Sequence, residues 1–270
     1  MAKTTKWTIV GGGNGGQSLA GHLSIMGFSV RLYDIFEETI NAISEQGGIH
    51  VEGAVQGFGA LEFATTDIAK AVDGADVVMV VAPATAHRAI AGACAPVLAD
   101  GQVVILHPGA TCGTLEFKKV LADHGCSARV TLAETNTLIY ACRSPQPGYA
   151  KIIGIKQDLV VAALPARDTG KVASLFHEAF PQVVAGKNVL QPSLGNANAI
   201  VHPAPSMLNT SLIESAHEWS YYYDGITPSI GAFVEKLDSE RMALAKVCDV
   251  DLLPILTWYE VAYGSDTPRF

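Results

Sequence analysis

No CxxC pair, no clustered run of lysine and arginine, and no apolar stretch long enough to cross a bilayer occurs in this sequence. Each absence removes a class of function. The five cysteines, Cys94, Cys112, Cys126, Cys142 and Cys248, lie far apart without metal-ligand spacing, so reduced thiols and no metal site are expected. The 18 basic residues are spread thinly against 26 acidic ones, giving a formal net charge of -8, which argues against a nucleic-acid partner. Lys3 and Lys6 lead into a short apolar run that ends in glycines at Gly11, which is not the pattern of a signal peptide. A cytoplasmic protein with no membrane partner is expected.

What the sequence does contain is 49% hydrophobic residues over 270 positions, enough for one large or two modest cores. Short β-branched runs at 7–10, 30–33, 77–81, 103–106 and 130–133 read as strands buried on both faces. Helical patterns at 15–26, 37–46, 84–98 and 114–124 alternate with them, the signature of a parallel sheet with crossover helices. The glycine-rich stretch 47–59 breaks the alternation and reads as a loop or small hairpin excursion. Residues 151–155 and 159–163 read as a hairpin around Lys156, followed by a helix at about 168–179. From Ser193 strand runs vanish, and helices punctuated by Pro203, Pro205, Pro228 and Pro254 take over. The expected division is 1–187 and 188–270.

Directly after the first strand comes Gly11-Gly12-Gly13-Asn14-Gly15-Gly16, which satisfies GxGxxG through Gly11, Gly13 and Gly16 and opens a helix. The first glycine permits the tight turn, the second lets backbone approach a pyrophosphate, and the third lets helix and strand pack closely. The helix start, with Asn14 and Gly15, presents free N–H groups to phosphate. Asp34 follows Gly16 by 18 residues at the end of the second strand. A carboxylate there accepts from ribose hydroxyls and repels a 2'-phosphate, so NAD is favoured over NADP. The expected fold is α/β, a Rossmann-type doubly wound parallel sheet followed by a smaller all-α domain. Ala82-Pro83 and His107-Pro108-Gly109 close two further strands, where small residues and prolines let a cofactor lie against backbone. His107 reads as a locally bonded turn residue ahead of a catalytic one.

In the C-terminal part Asn198 and His202 are four apart and share one helical face. Reduction of a carbonyl or imine needs a proton donor beside the reacting carbon, and histidine titrates in the right range. A histidine satisfied by a neighbouring carbonyl at a Pro-ended helix is the alternative.

The glycine loop with Asp34, the stretch Asn198 to Pro203, and the segment Tyr222 to Ser229 leading into Glu235, Asp238, Glu240 and Arg241 resemble the opine dehydrogenase family. His107 to Thr111, Glu134-Thr135 and Ala141-Cys142-Arg143 extend the likeness over essentially the whole chain. The resemblance implies an NAD-dependent enzyme that condenses an L-amino acid with a 2-oxo acid such as pyruvate and reduces the imine to a secondary amine dicarboxylate. It implies His202 as general acid/base, in a cleft between two domains. Asn198, Glu134, Arg143 and Thr227 are the expected substrate contacts. Glu134 reads either as a partner for the substrate amine or as a turn cap. Arg143, Lys151 and Arg241 read either as carboxylate partners or as surface charges.

Two departures accompany the likeness. Members often carry Asn where this chain has His107, and they continue past the point matching Phe270, where the acidic partner of their histidine lies. An incomplete helical domain is therefore expected, with Leu252, Leu253, Ile255, Leu256 and Trp258 partly uncovered and His202 a weaker acid/base. A homo-oligomer, a dimer, is expected. The alternatives are a reductase of the ketopantoate or glycerol-3-phosphate dehydrogenase kind, which use a lysine of the helical domain, or a truncated chain that binds NAD without turnover.

Overall fold

The computed structural model describes residues 5–157, 159–215 and 217–263. The chain runs β1 (Lys6–Val10), α1 (Asn14–Ile25), β2 (Ser29–Tyr33), α2 (Glu37–Gln46), β3 (Gly48–Gly53), β4 (Gly57–Ala60), β5 (Phe63–Thr65), α3 (Ile68–Val72), β6 (Val77–Val80) and α4 (Ala84–Cys94). There follow β7 (Val103–Leu106), α5 (Gly113–Asp123), β8 (Thr131–Thr135), β9 (Tyr140–Gln146), β10 (Tyr149–Ile155), β11 (Val160–Leu164), α6 (Thr169–His177) and β12 (Val184–Ala185). The remainder is helical: α7 (Leu190–Leu194), α8 (Asn198–Val201), α9 (Pro203–Leu208), α10 (Thr210–Glu214), α11 (Pro228–Val247) and α12 (Ile255–Tyr263).

The β-branched runs form the middle of an eight-stranded sheet in the order β12-β11-β8-β7-β6-β1-β2-β5. From β5 to β8 every pair is parallel, and β11 turns antiparallel against β8. All four residues of β6 and of β7 are buried, because helices cover both faces of the sheet. One core joins Trp7, Ile9 and Met79 to Leu19 and Leu23 of α1 and Phe176 of α6. The other joins Val10, Val78 and Val80 to Ala91 of α4 and Phe117 of α5. From β1 the chain moves outward to β2 and β5, then returns to β6 on the opposite side of β1. That reversal opens a crevice at the carboxyl ends of β1 and β6, where ligands of such sheets bind.

The glycine-rich stretch is a pair of strands. β3 and β4 pair antiparallel and belong to a second sheet, β4-β3-β10-β9, which lies against the opposite side of α1 from the main sheet. Glycine is required there by close approach: a Cβ on Gly21 would sit 2.5 Å from Val51 Cγ2, and one on Gly59 would sit 2.3 Å from the Gly21 carbonyl oxygen. The hairpin expected from 151–155 and 159–163 does not form. β10 pairs instead with β9 across Pro147 and Gly148, whose φ of 79° suits the turn, while β11 joins the main sheet. Pro145 is accommodated because β9 is an edge strand.

The helical part has its own small core of Ala197, Val201, Ala204, Ile226, Val234 and Ile255. Of the side chains expected to be uncovered, Leu253 and Leu256 are 43% and 36% exposed, whereas Ile255 is buried. Ile255 is held by its backbone N–H, which donates to Asp238 Oδ2 at 2.8 Å. The other Asp238 oxygen accepts from Arg241 Nε at 2.7 Å, and both side chains are buried. Arg241 also donates to the carbonyls of Leu194 and Leu253, so one ion pair joins α7, α11 and the entry to α12. Breaking a buried pair leaves an uncompensated charge, and Asp238→Ala should cost about 3–5 kcal/mol. Urea unfolding followed by hydrogen exchange should locate the loss in residues 190–263. Unchanged protection there would contradict the role given to this pair.

Candidate active site

The glycine loop owes its shape to lack of room. Gly11, at φ 115°, places its Cα hydrogen where a Cβ would meet the Val81 carbonyl oxygen at 2.3 Å. A Cβ on Gly16 would fall 1.7 Å from the Gly11 carbonyl oxygen, and one on Gly15 would press on Leu138 and Val81, both at 3.0 Å. Gly13, by contrast, faces open space. Its bare backbone borders a cleft of about 350 Å3 lined also by Gly11, Asp34, Ala82 and Pro83, with Ile35, Phe36, Ile68 and Ile90 as apolar walls. The bare backbone of Gly11 and Gly13 at the edge of this cleft fits a dinucleotide's pyrophosphate.

Asp34 closes the loop from β2. Its Oδ2 accepts a short bond from the Gly12 N–H, and its Oδ1 accepts from the Phe36 N–H at 3.0 Å. The carboxylate is thereby fixed at the rim of the cleft. Arg31, three residues earlier, is held by Glu62 at 3.1 Å and by the Asp73 carbonyl, so its guanidinium is committed away from a 2'-phosphate. The glycines pack where they are needed, and Gly109 packs elsewhere. It is buried over Glu134, whose Cβ lies 2.4 Å from where its own would be.

A second cavity of about 290 Å3 adjoins the start of α1 and brings together Asn14, Arg143, Asn198 and His202. Asn14 Oδ1 accepts from the Ser144 N–H at 2.8 Å, which ties β9 to the helix start. Asn198 and His202 share the α8 turn, with the His202 N–H donating to the Asn198 carbonyl at 3.2 Å. His202 Nε2 lies 3.0 Å from the Tyr222 hydroxyl, and its own carbonyl accepts from the Tyr221 hydroxyl at 2.7 Å. Burial lowers the imidazole pKa below its usual value, so the ring is neutral at pH 7. No aspartate or glutamate among the described residues lines this cavity.

Sequence reasoning missed Lys156 here. It follows β10, lines the same cavity, and donates to Thr137 Oγ1 at 2.8 Å. Burial lowers its ammonium to about 8. Tyr222, Trp258 and Tyr259 complete the wall and were likewise not singled out as contacts. The nearest signal was the cationic residue at the end of a strand run in 151–155.

Two of the expected substrate contacts, Glu134 and Thr227, lie elsewhere, as do Arg241 and Lys151. Glu134 is fully buried: Oε2 accepts from the Thr114 N–H at 2.8 Å and its hydroxyl at 2.6 Å, and Oε1 accepts a short bond from the Ser193 hydroxyl. With its oxygens taken, it clasps α5 to α7 and is not a contact for a substrate amine. Thr227 caps α11, accepting from the Ile230 N–H, and lines neither cavity. Arg241 is consumed by Asp238, and Lys151 is exposed on β10 away from both cavities. His107 is buried between Thr135 Oγ1 at 2.7 Å and the Ile139 N–H at 3.1 Å. Since Nε2 accepts, Nδ1 carries the proton, and burial depresses its pKa to about 3.

A dinucleotide cleft opening beside a pocket with a neutral imidazole and a lowered amine is the layout of a nicotinamide-dependent oxidoreductase. Residues 185–269 match the family of NAD/NADP octopine/nopaline dehydrogenases in its alpha-helical domain, and residues 6–124 match the NAD-dependent glycerol-3-phosphate dehydrogenase N-terminus. The chain is 40% identical to an opine dehydrogenase of Arthrobacter sp. (strain 1C), over 98% of this chain and 74% of the relative. It is 28% identical to the octopine dehydrogenase of Pecten maximus, over 74% of this chain and 53% of that one. Among solved structures it superposes on octopine dehydrogenase in complex with NADH and agmatine with a TM-score of 0.79 at 24% identity, covering 97% of this chain and 71% of the other. The chain belongs to the opine dehydrogenase family, a group of NAD/NADP-dependent oxidoreductases.

Asp34→Ala removes a charged acceptor worth about 1.5–3 kcal/mol, so NADH affinity should fall roughly 10- to 100-fold while NADPH affinity falls less. Fluorescence titration with both cofactors measures it. A wild-type protein that binds NADPH more tightly than NADH would contradict the role of Asp34.

Proposed function

We propose that this chain joins the amino group of an L-amino acid to a 2-oxo acid such as pyruvate and reduces the resulting imine, with His202 as the acid/base of the reducing half. The observation that carries this is the meeting of Asn14, Arg143, Asn198 and His202 in one cavity beside the dinucleotide cleft. NADH, when bound, supplies the hydride. Gly11, Gly13, Asn14, Gly15, Gly16, Asp34, Ala82 and Pro83 are the residues we assign to its binding. Arg143 offers a guanidinium for a substrate carboxylate, and Asn198 orients the substrate from the opposite wall. His202, neutral and bonded to Tyr222, is able to take a proton at the reacting nitrogen or return it there.

The cavity supports this reading over a reductase that draws its lysine from the helical part. Among the described residues the lysine in the cavity is Lys156, which comes from the small sheet, while α8 contributes Asn198 and His202. We further infer two units meeting near residue 187, supported by the separate core of the helical part; residues 264–270 of the second unit lie outside the described residues. A cytoplasmic location is in keeping with five free cysteines. A dimer is in keeping with Met207 and Val247, which are 77% and 84% exposed on the helical part. No described helix is long and apolar enough to cross a membrane.

His202→Ala should leave NADH affinity within a few-fold of wild type and lower kcat by about two to four orders of magnitude, the usual worth of a positioned acid/base. Steady-state NADH oxidation with pyruvate and a panel of L-amino acids measures it. Undiminished turnover would remove His202 from the mechanism.

A further inference from the structure

Making the imine asks more of the protein than reducing it. The amino acid enters as an ammonium and must lose a proton before its nitrogen can attack. The carbinolamine that forms must then have its hydroxyl protonated to leave as water. One group can serve both ends only if its protonated and neutral forms are both populated at working pH.

His202 is poorly suited to the second task. Its ring is neutral at pH 7, Nε2 already lies beside Tyr222, and no carboxylate among the described residues lines the cavity to favour its charged form. Lys156 lies in the same cavity and is differently placed. Its Nζ has one hydrogen-bond partner, Thr137 Oγ1, and no ion pair among the described residues, so none of those residues fixes it as a permanent cation. The titratable groups around it are Tyr140, Cys142 and Arg143 of β9, His202 and Tyr222 of the helical part, Tyr259 of α12, and the neutral His107. Partial burial brings its ammonium down to about 8, where both forms coexist near neutral pH. Thr137 is itself held in place, because the loop that carries it is pinned to His107 through Thr135 and the Ile139 N–H.

We propose that Lys156 is the acid/base of the condensation half-reaction, taking a proton from the amino acid's ammonium and delivering it to the departing hydroxyl. The inference rests on the opine dehydrogenase reading above. The neutral Lys156 amine accepts a proton from the ammonium. The freed nitrogen attacks the 2-oxo carbon, a C–N bond forms, and a second nitrogen proton passes to the carbonyl oxygen. Lys156 then returns its proton to that hydroxyl, the C–O bond breaks, water leaves, and an iminium bearing one N–H remains. Hydride from NADH yields the secondary amine, whose nitrogen then takes a proton relayed from solvent through His202, and Lys156 is neutral again.

The test compares Lys156→Gln with Lys156→Arg, since arginine keeps the positive charge but does not release a proton. NADH titration and circular dichroism establish that both variants fold. With pyruvate and the amino acid that the wild type turns over fastest, kcat should fall by about two to four orders of magnitude in both. Any isotope effect on kcat from NADH deuterated at both C4 positions should fall to unity, because condensation then limits the rate. With NAD+ in place of NADH, loss of oxygen-18 from carbonyl-labelled pyruvate in the presence of the amino acid should slow toward the uncatalysed rate. This last readout involves no hydride. Wild-type kcat in Lys156→Arg would overturn the proposal and leave Lys156 as a carboxylate anchor, and so would an unaltered washout rate. A wild type that oxidises NADH with no pair of amino acid and 2-oxo acid would remove the opine dehydrogenase reading itself, and the inference with it.

Discussion

Two sheets press on opposite sides of helix α1, and how closely they approach it governs the rest of the molecule. The helix has almost no polar face: nine of its twelve residues, from Gly15 to Leu23, are buried. Close approach requires glycine at Gly16 against the Gly11 carbonyl and at Gly21 against Gly59 and Val51. Most of the polar side chains within it are answered, Ser24 Oγ being the exception. Ser18 donates to the Asn14 carbonyl at 2.7 Å, and Gln17 donates to the Gly12 carbonyl while accepting from the Gly148 N–H. A buried helix with unmet polar groups would cost several kcal/mol, so these bonds are what allow the clamp to close.

That clamp is also what places the chemistry. Gly13, the residue before α1, borders the cleft beside Asp34, and Asn14 at the same helix end borders the second cavity. One helix terminus therefore serves both cavities, and the small sheet delivers Arg143 and Lys156 to its far side. The helical part is brought in by a different device, the buried Glu134, which accepts from Ser193 of α7 and Thr114 of α5 together. Burial pushes the Glu134 carboxyl up, while its three donors favour the charged form. Its task is to set α7, and through it the turn carrying Asn198 and His202, against the nucleotide side.

The parts of the fold that were legible are those where composition and period agree. β6 and β7 are short, β-branched and buried throughout, and Gly11, Gly15 and Gly16 each carry a steric reason. The stretch 47–59 was opaque because its glycines answer to partners elsewhere, Gly57 and Gly59 to α1 and Gly53 to Ile152 of β10, and glycine leaves no alternating apolar pattern to read. The strands at 151–155 and 159–163 are neighbours in sequence but belong to different sheets, and a hairpin is the default only when nothing else claims the strands. Lys156 carried no motif, since its meaning comes from Thr137 and from the cavity wall across the chain. Glu134 illustrates the opposite error: a carboxylate at a strand end reads as a ligand contact until Thr114 and Ser193 are seen to occupy it.

The central claim is that the hydride is delivered to an imine, and the most direct measurement follows the label. Incubation with pyruvate, a 15N-labelled L-amino acid and C4-dideuterated NADH, followed by mass spectrometry, should give one secondary amine dicarboxylate. It should retain the 15N and carry a single deuterium on the carbon derived from the pyruvate carbonyl. Deuterium appearing in a 2-hydroxy acid, with the amino acid recovered unchanged, would contradict the account and make this chain a ketone reductase.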